Sequence, residues 1–163
     1  MISDIALVLS TLMCSLIAGL LFCYAILIMP GLKKLDDKSF IKAFQVTDRI
    51  IQNNHPLFIL IWLGSALSII VLAISSLGKL EGIDVYIMLF ALTGYFCGIQ
   101  APTILVNLPL NKKLQKLNVA HSSEEELRAS RIEFEAPWNK SNEIRTIMAC
   151  MTSLALIVLC LKQ

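Results

Sequence analysis

Residues 85–111 read VYIMLFALTGYFCGIQAPTILVNLPLN. No Asp, Glu, Lys or Arg interrupts the run, and it exceeds the about 20 residues that carry an α-helix across the hydrocarbon core. Lipid offers no partners to free backbone N–H and C=O groups, so such a segment must be helical. Three further runs lack charge in the same way: 5–32, 56–78 and 146–161, the last reaching full length if its helix starts near Trp138. The chain is 56% hydrophobic and 16% charged, against about 45–50% and 25% in soluble domains. We therefore expect an all-α, polytopic membrane protein. It forms one four-transmembrane-helix bundle over 1–163, with spans at about 5–29, 56–77, 85–110 and 138–161.

Charge sets the expected orientation. Lys33, Lys34, Lys38, Lys42 and Arg49 lie between spans one and two, and Lys112, Lys113, Lys116, Arg128, Arg131, Lys140 and Arg145 between spans three and four. Only Lys79 and Lys162 fall on the other side. Basic loops stay in the cytoplasm, so the two long loops are expected there and both termini outside. Membrane lipids account for these lysines and arginines, and no nucleic acid need be invoked. The N-terminal run lacks a basic start, carries Asp4 and is too long for a signal-peptide core, so it reads as a retained span.

The first long loop carries an amphipathic stretch over 36–53. Phe40, Phe44, Thr47 and Ile51 share one face, while Lys38, Lys42, Asp48 and Arg49 lie elsewhere, a pattern that fits a helix at the membrane interface. In the second loop, Ser122 and Ser123 precede Glu125 and Glu126 with the spacing of a capping box, so a short amphipathic helix is expected there. Pro137 suits the first turn of the fourth span. Small residues recur four apart at Ser15/Gly19, Gly64/Ser68 and Gly94/Gly98. They favour close helix packing, within one chain or in a homo-oligomer.

Span three also carries polarity. Thr93, Cys97, Gln100, Thr103, Asn107 and Asn111 follow at steps of three and four, which places them on one helix face. An amide facing lipid lacks partners, so this face should point inward. Pro102 and Pro109 break the same helix and free backbone carbonyls. Interhelical hydrogen bonding alone would explain the stripe; a binding cavity is the alternative. Trp138, Asn142 and Arg145 share a face at the start of span four, either as interfacial anchors or as part of a site. Because the spans alternate in direction, Asn107, Asn111, Asn142, Arg145 and His55 reach the same, cytoplasmic end. Arg145 would orient an anionic oxygen, Trp138 would cover a ring, and Gln100, Thr103, Asn107, Asn111 and Asn142 complete the candidate ligand-binding set.

Cys14, Cys23, Cys97, Cys150 and Cys160 lie inside spans without a CxxC pair, and read as packing residues. His55 and His121 are too far apart in setting for a bis-His haem, and no carboxylate cluster suits a di-iron centre, so no metal site is expected. The absence of a mid-span acid argues against an ion-coupled transporter.

Four segments carry a family resemblance: AGLLFCYAILIMPGLKKL from residue 18, FQVTDRIIQNNHPLF from 44, VNLPLNKKL from 106 and FEAPWNKSNEIRT from 134. In order and spacing they resemble a bacterial membrane family of unknown function related to the fungal anthrone oxygenases. The most specific pieces are Asn107-x-Pro109-x-Asn111 and Trp138-x3-Asn142-x2-Arg145-Thr146. The resemblance implies a four-helix membrane bundle in a bacterial inner (plasma) membrane. It also implies oxidation of a lipophilic three-ring aromatic, an anthrone, to a quinone by dioxygen, without a dedicated metal, flavin or other cofactor. On that reading Arg145 and His55 are the catalytic candidates, with His55 as proton acceptor. The other open reading is a non-catalytic membrane protein that binds a lipid or quinone or supports a partner.

Overall fold

The computed structural model describes residues 2–162, and these form five helices. They are α1 (Ile2–Leu32), α2 (Asp37–Gln52), α3 (Pro56–Ser75), α4 (Ile83–Gln115) and α5 (Glu124–Leu161). α1, α3, α4 and α5 are long and apolar enough to cross a membrane. α1 packs against α3 on one side and α5 on the other, and α5 in turn packs along α4. The bundle is apolar outside, and its apolar interior also takes in polar side chains. Ile144, Ile147, Met151, Leu154 and Ile157 of α5 are exposed, whereas Ser141, Asn142, Arg145, Thr146, Thr152 and Ser153 are buried. On α4, Leu105 is 74% exposed and Asn107 only 2%. Lipid on the outside rewards this arrangement, since apolar side chains lose nothing there and polar ones need partners inside.

Proline decides the local shape of two spans. Pro30, Pro102 and Pro109 each follow a wider π-helical turn, at Tyr24–Ile28, Gly94–Gln100 and Thr103–Asn107 respectively. In each turn a backbone N–H reaches five residues back, as from Leu108 to the Thr103 carbonyl. A proline ring clashes with the carbonyl four residues earlier and removes one bond; the wide turn absorbs both defects. It also rotates the face of α4. Tyr95, Ile99 and Gln100 are buried, while Thr93 and Cys97, expected inside, are exposed. Thr93 tolerates this because its hydroxyl donates to the Leu89 carbonyl at 2.7 Å.

The second loop differs from expectation. Ser123 and Glu126 do form a reciprocal capping box, but the helix that starts there runs unbroken into the fourth span. Pro137 therefore lies inside α5, on its exposed side. Leu127, Phe134 and Trp138 hold this extension by packing with Phe40, Ile41 and Phe44 of α2 and Leu114 of α4. Arg131 fastens the far end. It donates to the carbonyls of Lys33 and Leu35 and pairs with Asp37 and Glu135. α2 is thus a fifth packed element of the bundle. Its buried face is Phe40, Ile41, Phe44, Gln45 and Asp48, turned from the expected one; Thr47 is exposed and Ile51 only half-buried.

Candidate functional site

Two cores leave a seam between them. One fills the spans around Ile69, Tyr95, Ala149 and Leu156; the other lies beneath α2 around Phe40, Phe44 and Trp138. In the seam α4 and α5 meet through polar groups. Ser141 Oγ donates to Asn107 Oδ1 at 2.6 Å, and Asn107 Nδ2 donates to the Trp138 carbonyl at 3.3 Å. Arg145 donates to Thr103 Oγ1 at 3.1 Å and to Asn142 Oδ1 at 2.8 Å, while Asn142 Nδ2 donates to the Leu21 carbonyl of α1 at 3.2 Å. Arg145 is 6% exposed, and its Nε has no partner. Among the described residues no carboxylate pairs with it. Its Cα lies about 10 Å along α5 from that of Trp138, at the usual helical rise. A buried cation held only by neutral oxygens is an expensive arrangement.

Asp48 stands across the same seam, on α2. It is 2% exposed and, among the described residues, has no cationic partner either. Three amides hold it: Asn111 donates to Oδ1 at 2.8 Å, and Gln115 and Gln52 donate to Oδ2 at 3.0 and 3.3 Å. Burial pushes its carboxyl above the ordinary range, and those amide donors offset part of the rise. Trp138 Nε1 donates to Asn111 Oδ1 at 2.8 Å, so Asn111 links indole to carboxylate.

Between Arg145 and Asp48 lies a cavity of about 100 Å³. Its polar wall is Thr103, Asn107, Asn111 and Asn142, and its aromatic wall is Tyr24, Phe44, Phe58 and Trp138. Trp138 is the hub, with ring centroids 5.7 Å from Tyr24 and from Phe44 and 5.6 Å from the Arg145 guanidinium carbon. Two of the three proline-linked wide turns supply Tyr24, Thr103 and Asn107 to it. Among the described residues no group of His, Cys, Asp and Glu is arranged to hold a metal ion.

A profile of the anthrone oxygenase family matches residues 48–155. The chain belongs to that family. No curated protein and no solved structure matches it. The matched segment of this anthrone oxygenase family member, 48–155, includes both charged groups of the cavity, Asp48 and Arg145.

Six of the residues singled out from sequence meet here: Thr103, Asn107, Asn111, Trp138, Asn142 and Arg145. Gln100 is buried but lies apart from the cavity wall, donating to the Tyr95 hydroxyl at 2.7 Å, which pairs with Ser65 at 2.6 Å. His55 is exposed and does not line the cavity. Its backbone explains this. Asn54 takes a left-handed φ of 57°, and the amides of Asn54 and His55 bond back to the Ile51 and Ile50 carbonyls, ending α2. His55 then precedes Pro56 as the residue outside α3, and its side chain makes no cap. Sequence reading missed Asp48, Tyr24, Phe44 and Phe58 as cavity residues. A signal for Asp48 existed: it follows Phe40 and Phe44 at steps of four, on the face those rings bury.

Proposed function

We propose that the protein oxidises a lipophilic aromatic ketone of the anthrone class with dioxygen, in the cavity at the cytoplasmic end of the bundle. The observation that carries this reading is Arg145: a buried guanidinium with an unpartnered Nε, at the wall of an aromatic-lined cavity within a span. Ionisable groups inside membrane helices mark function by default. Here the group matches the chemistry of the family. Removing a proton from the methylene opposite the anthrone carbonyl sends the electron pair through the ring to the carbonyl oxygen. Arg145 stabilises the enolate oxygen so formed by charge-assisted hydrogen bonds. The electron-rich enolate gives up electrons to dioxygen. In the net reaction the methylene and one dioxygen become a carbonyl and one water. Asn107, Asn111 and Asn142 offer amides to further oxygens of the ring system, and Trp138, Tyr24, Phe44 and Phe58 offer faces and edges to the rings.

The cavity is small for this task. An apolar cavity of about 150 Å³ accepts benzene, so about 100 Å³ accommodates less than one ring. Substrate binding must therefore widen it, and the half-buried Ile51 and Phe58 are placed to yield first.

The test uses the full chain in lipid nanodiscs with 1,8-dihydroxyanthrone, following dioxygen uptake and quinone absorbance. One dioxygen should disappear per quinone formed. Arg145→Lys keeps the charge but loses the planar fork and should lower turnover by about 10²–10³-fold. A parent that binds neither anthrone nor anthraquinone, or an Arg145→Lys variant that turns over like the parent, would sink the proposal. Anthraquinone binding without dioxygen uptake would leave a quinone-binding protein instead.

A further inference from the structure

The geometry points to Asp48 as the proton acceptor in this cavity, acting on a methylene whose conjugated carbonyl oxygen is held by Arg145. The inference rests on the proposed function and adds to it the base that the reaction needs. His55 cannot serve in this arrangement, because it is exposed and outside the cavity wall. Asp48 lines the wall, is buried, and is oriented through both oxygens by neutral amides of Asn111, Gln115 and Gln52. Neutral donors fix the carboxylate without neutralising it, as a base requires, whereas a paired arginine would hold it too weakly basic. Its burial acts in the same direction, raising its affinity for a proton.

Spacing supports the pairing of roles. Asp48 is held through Asn111 and Arg145 through Thr103, and these two lie eight residues apart on α4, about 12 Å along a helix. Across one ring, a carbonyl oxygen and the opposite methylene carbon are roughly 4 Å apart by ordinary bond lengths. With a contact of about 3 Å at each end, such a ring bridges about 10 Å. The cavity thus sets an acceptor of protons and a stabiliser of negative oxygen at the two ends of one ring.

The step balances with dioxygen as the oxidant. The Asp48 carboxylate takes a methylene proton; a C–H bond breaks and an O–H bond forms, and the electron pair rests on the enolate oxygen at Arg145. Dioxygen takes the electrons and bonds to the same carbon, and the peroxide receives the proton from Asp48. Asp48 then removes the second proton of that carbon as the O–O bond breaks. The new carbonyl forms, and the departing hydroxide leaves as water with that proton. Asn111 is the positioning residue, tied to the Trp138 indole on one side and to Asp48 on the other.

The experiment separates proton transfer from oxidation. The full chain in nanodiscs is held without dioxygen in D2O with anthrone, and deuterium entering the methylene is read by mass spectrometry. The parent should accelerate exchange, and Asp48→Asn should lose it by about 100-fold or more while still binding anthraquinone, which has no methylene. If Asp48→Asn does not bind anthraquinone, Asp48→Glu decides: exchange within about tenfold of the parent supports the assignment. Exchange in Asp48→Asn within about threefold of the parent overturns it, as does no exchange in a Glu variant that binds anthraquinone. A parent that binds anthraquinone but exchanges nothing overturns the base while leaving the cavity; a parent that binds no anthraquinone or anthrone overturns the proposed function and this inference together.

Discussion

Replacing Ser141 with Ala removes the hydroxyl that donates to Asn107 Oδ1 at 2.6 Å. Asn107 is 2% exposed, so no bulk solvent replaces the donor. The remaining bond of Asn107, to the Trp138 carbonyl at 3.3 Å, is long and shares an acceptor already in the backbone ladder of α5. A stranded buried acceptor costs about 1–3 kcal/mol, but interhelical bonds in membrane proteins average about 0.6 and reach about 1.7 kcal/mol. The short distance and full burial place this bond near the upper end, so Ser141→Ala should cost about 1–1.5 kcal/mol by these same ranges. Asn107→Leu should cost more, because it also replaces the second bond with an apolar group beside Trp138. The double variant should cost less than the two together, with a coupling of about 1 kcal/mol. Unfolding of the full chain in mixed micelles, followed by tryptophan fluorescence, measures all four proteins. Coupling below about 0.3 kcal/mol is within the additivity of independent sites. That result would refute the claim that this bond clamps α4 to α5 beside the cavity.

Gly98→Ala should destabilise by about 1–3 kcal/mol, less a helix gain of up to about 1 kcal/mol. Its new methyl would lie 2.6 and 2.7 Å from Met148 Cγ and Cβ, whereas Gly19→Ala, with no atom within 4 Å, should cost nothing in the same unfolding assay. Asp48 gives a pH signature. Its raised folded-state value means that the folded protein holds the proton more tightly, so its stabilising contribution is full below the ordinary carboxylate value of about 3.9 and is lost as pH rises through the raised value. The stability of the parent relative to Asp48→Asn should therefore fall as pH rises above the ordinary carboxylate value of about 3.9, and a difference that stays flat or rises would contradict the assignment. The twelve basic residues of the long loops against Lys79 and Lys162 predict both termini outside: a reporter that works only outside the cytoplasm should be active when joined to the C-terminus, and a cytoplasmic reading there would overturn the orientation.

The spans and their order were readable because a membrane imposes one strong rule on the sequence, namely that a charge-free run of this length be helical. The interior face of α4 was readable only in part. A strict helical period predicts that Thr93 and Cys97 share a face with Gln100, and it fails where the wide turn before Pro102 resets the rotation. The prolines announced the defect but not the direction in which the helix would absorb it. For α2 the obstacle was different. Charge was read as a mark of the solvent face, although Asp48 stands in step with Phe40 and Phe44. The amides that make its burial tolerable, Asn111 and Gln115, come from more than sixty residues away and leave no trace in the local pattern. His55 is the opposite case, exposed and outside the cavity wall. Its chemistry is apt for a base, but its position is spent on a helix-ending turn.

One substitution sets stability against function directly. Arg145 Nη1 donates to Thr103 Oγ1 at 3.1 Å, and no carboxylate among the described residues completes a pair. Thr103→Asp would place a carboxylate at that point, on a helix already packed against α5. If the uncompensated guanidinium is a defect tolerated by the fold, the new ion pair should relieve it, and the unfolding midpoint should rise or hold. If the cation is kept free for an enolate oxygen, the same change should lower turnover of 1,8-dihydroxyanthrone by at least the about 10²–10³-fold expected for loss of an oxyanion donor. It should also weaken anthraquinone binding, since an anion now competes for the donors. The two effects together are the signature of a site that holds strain for function. A Thr103→Asp variant that is stabilised yet turns over like the parent would show that Arg145 serves only to join α4 and α5.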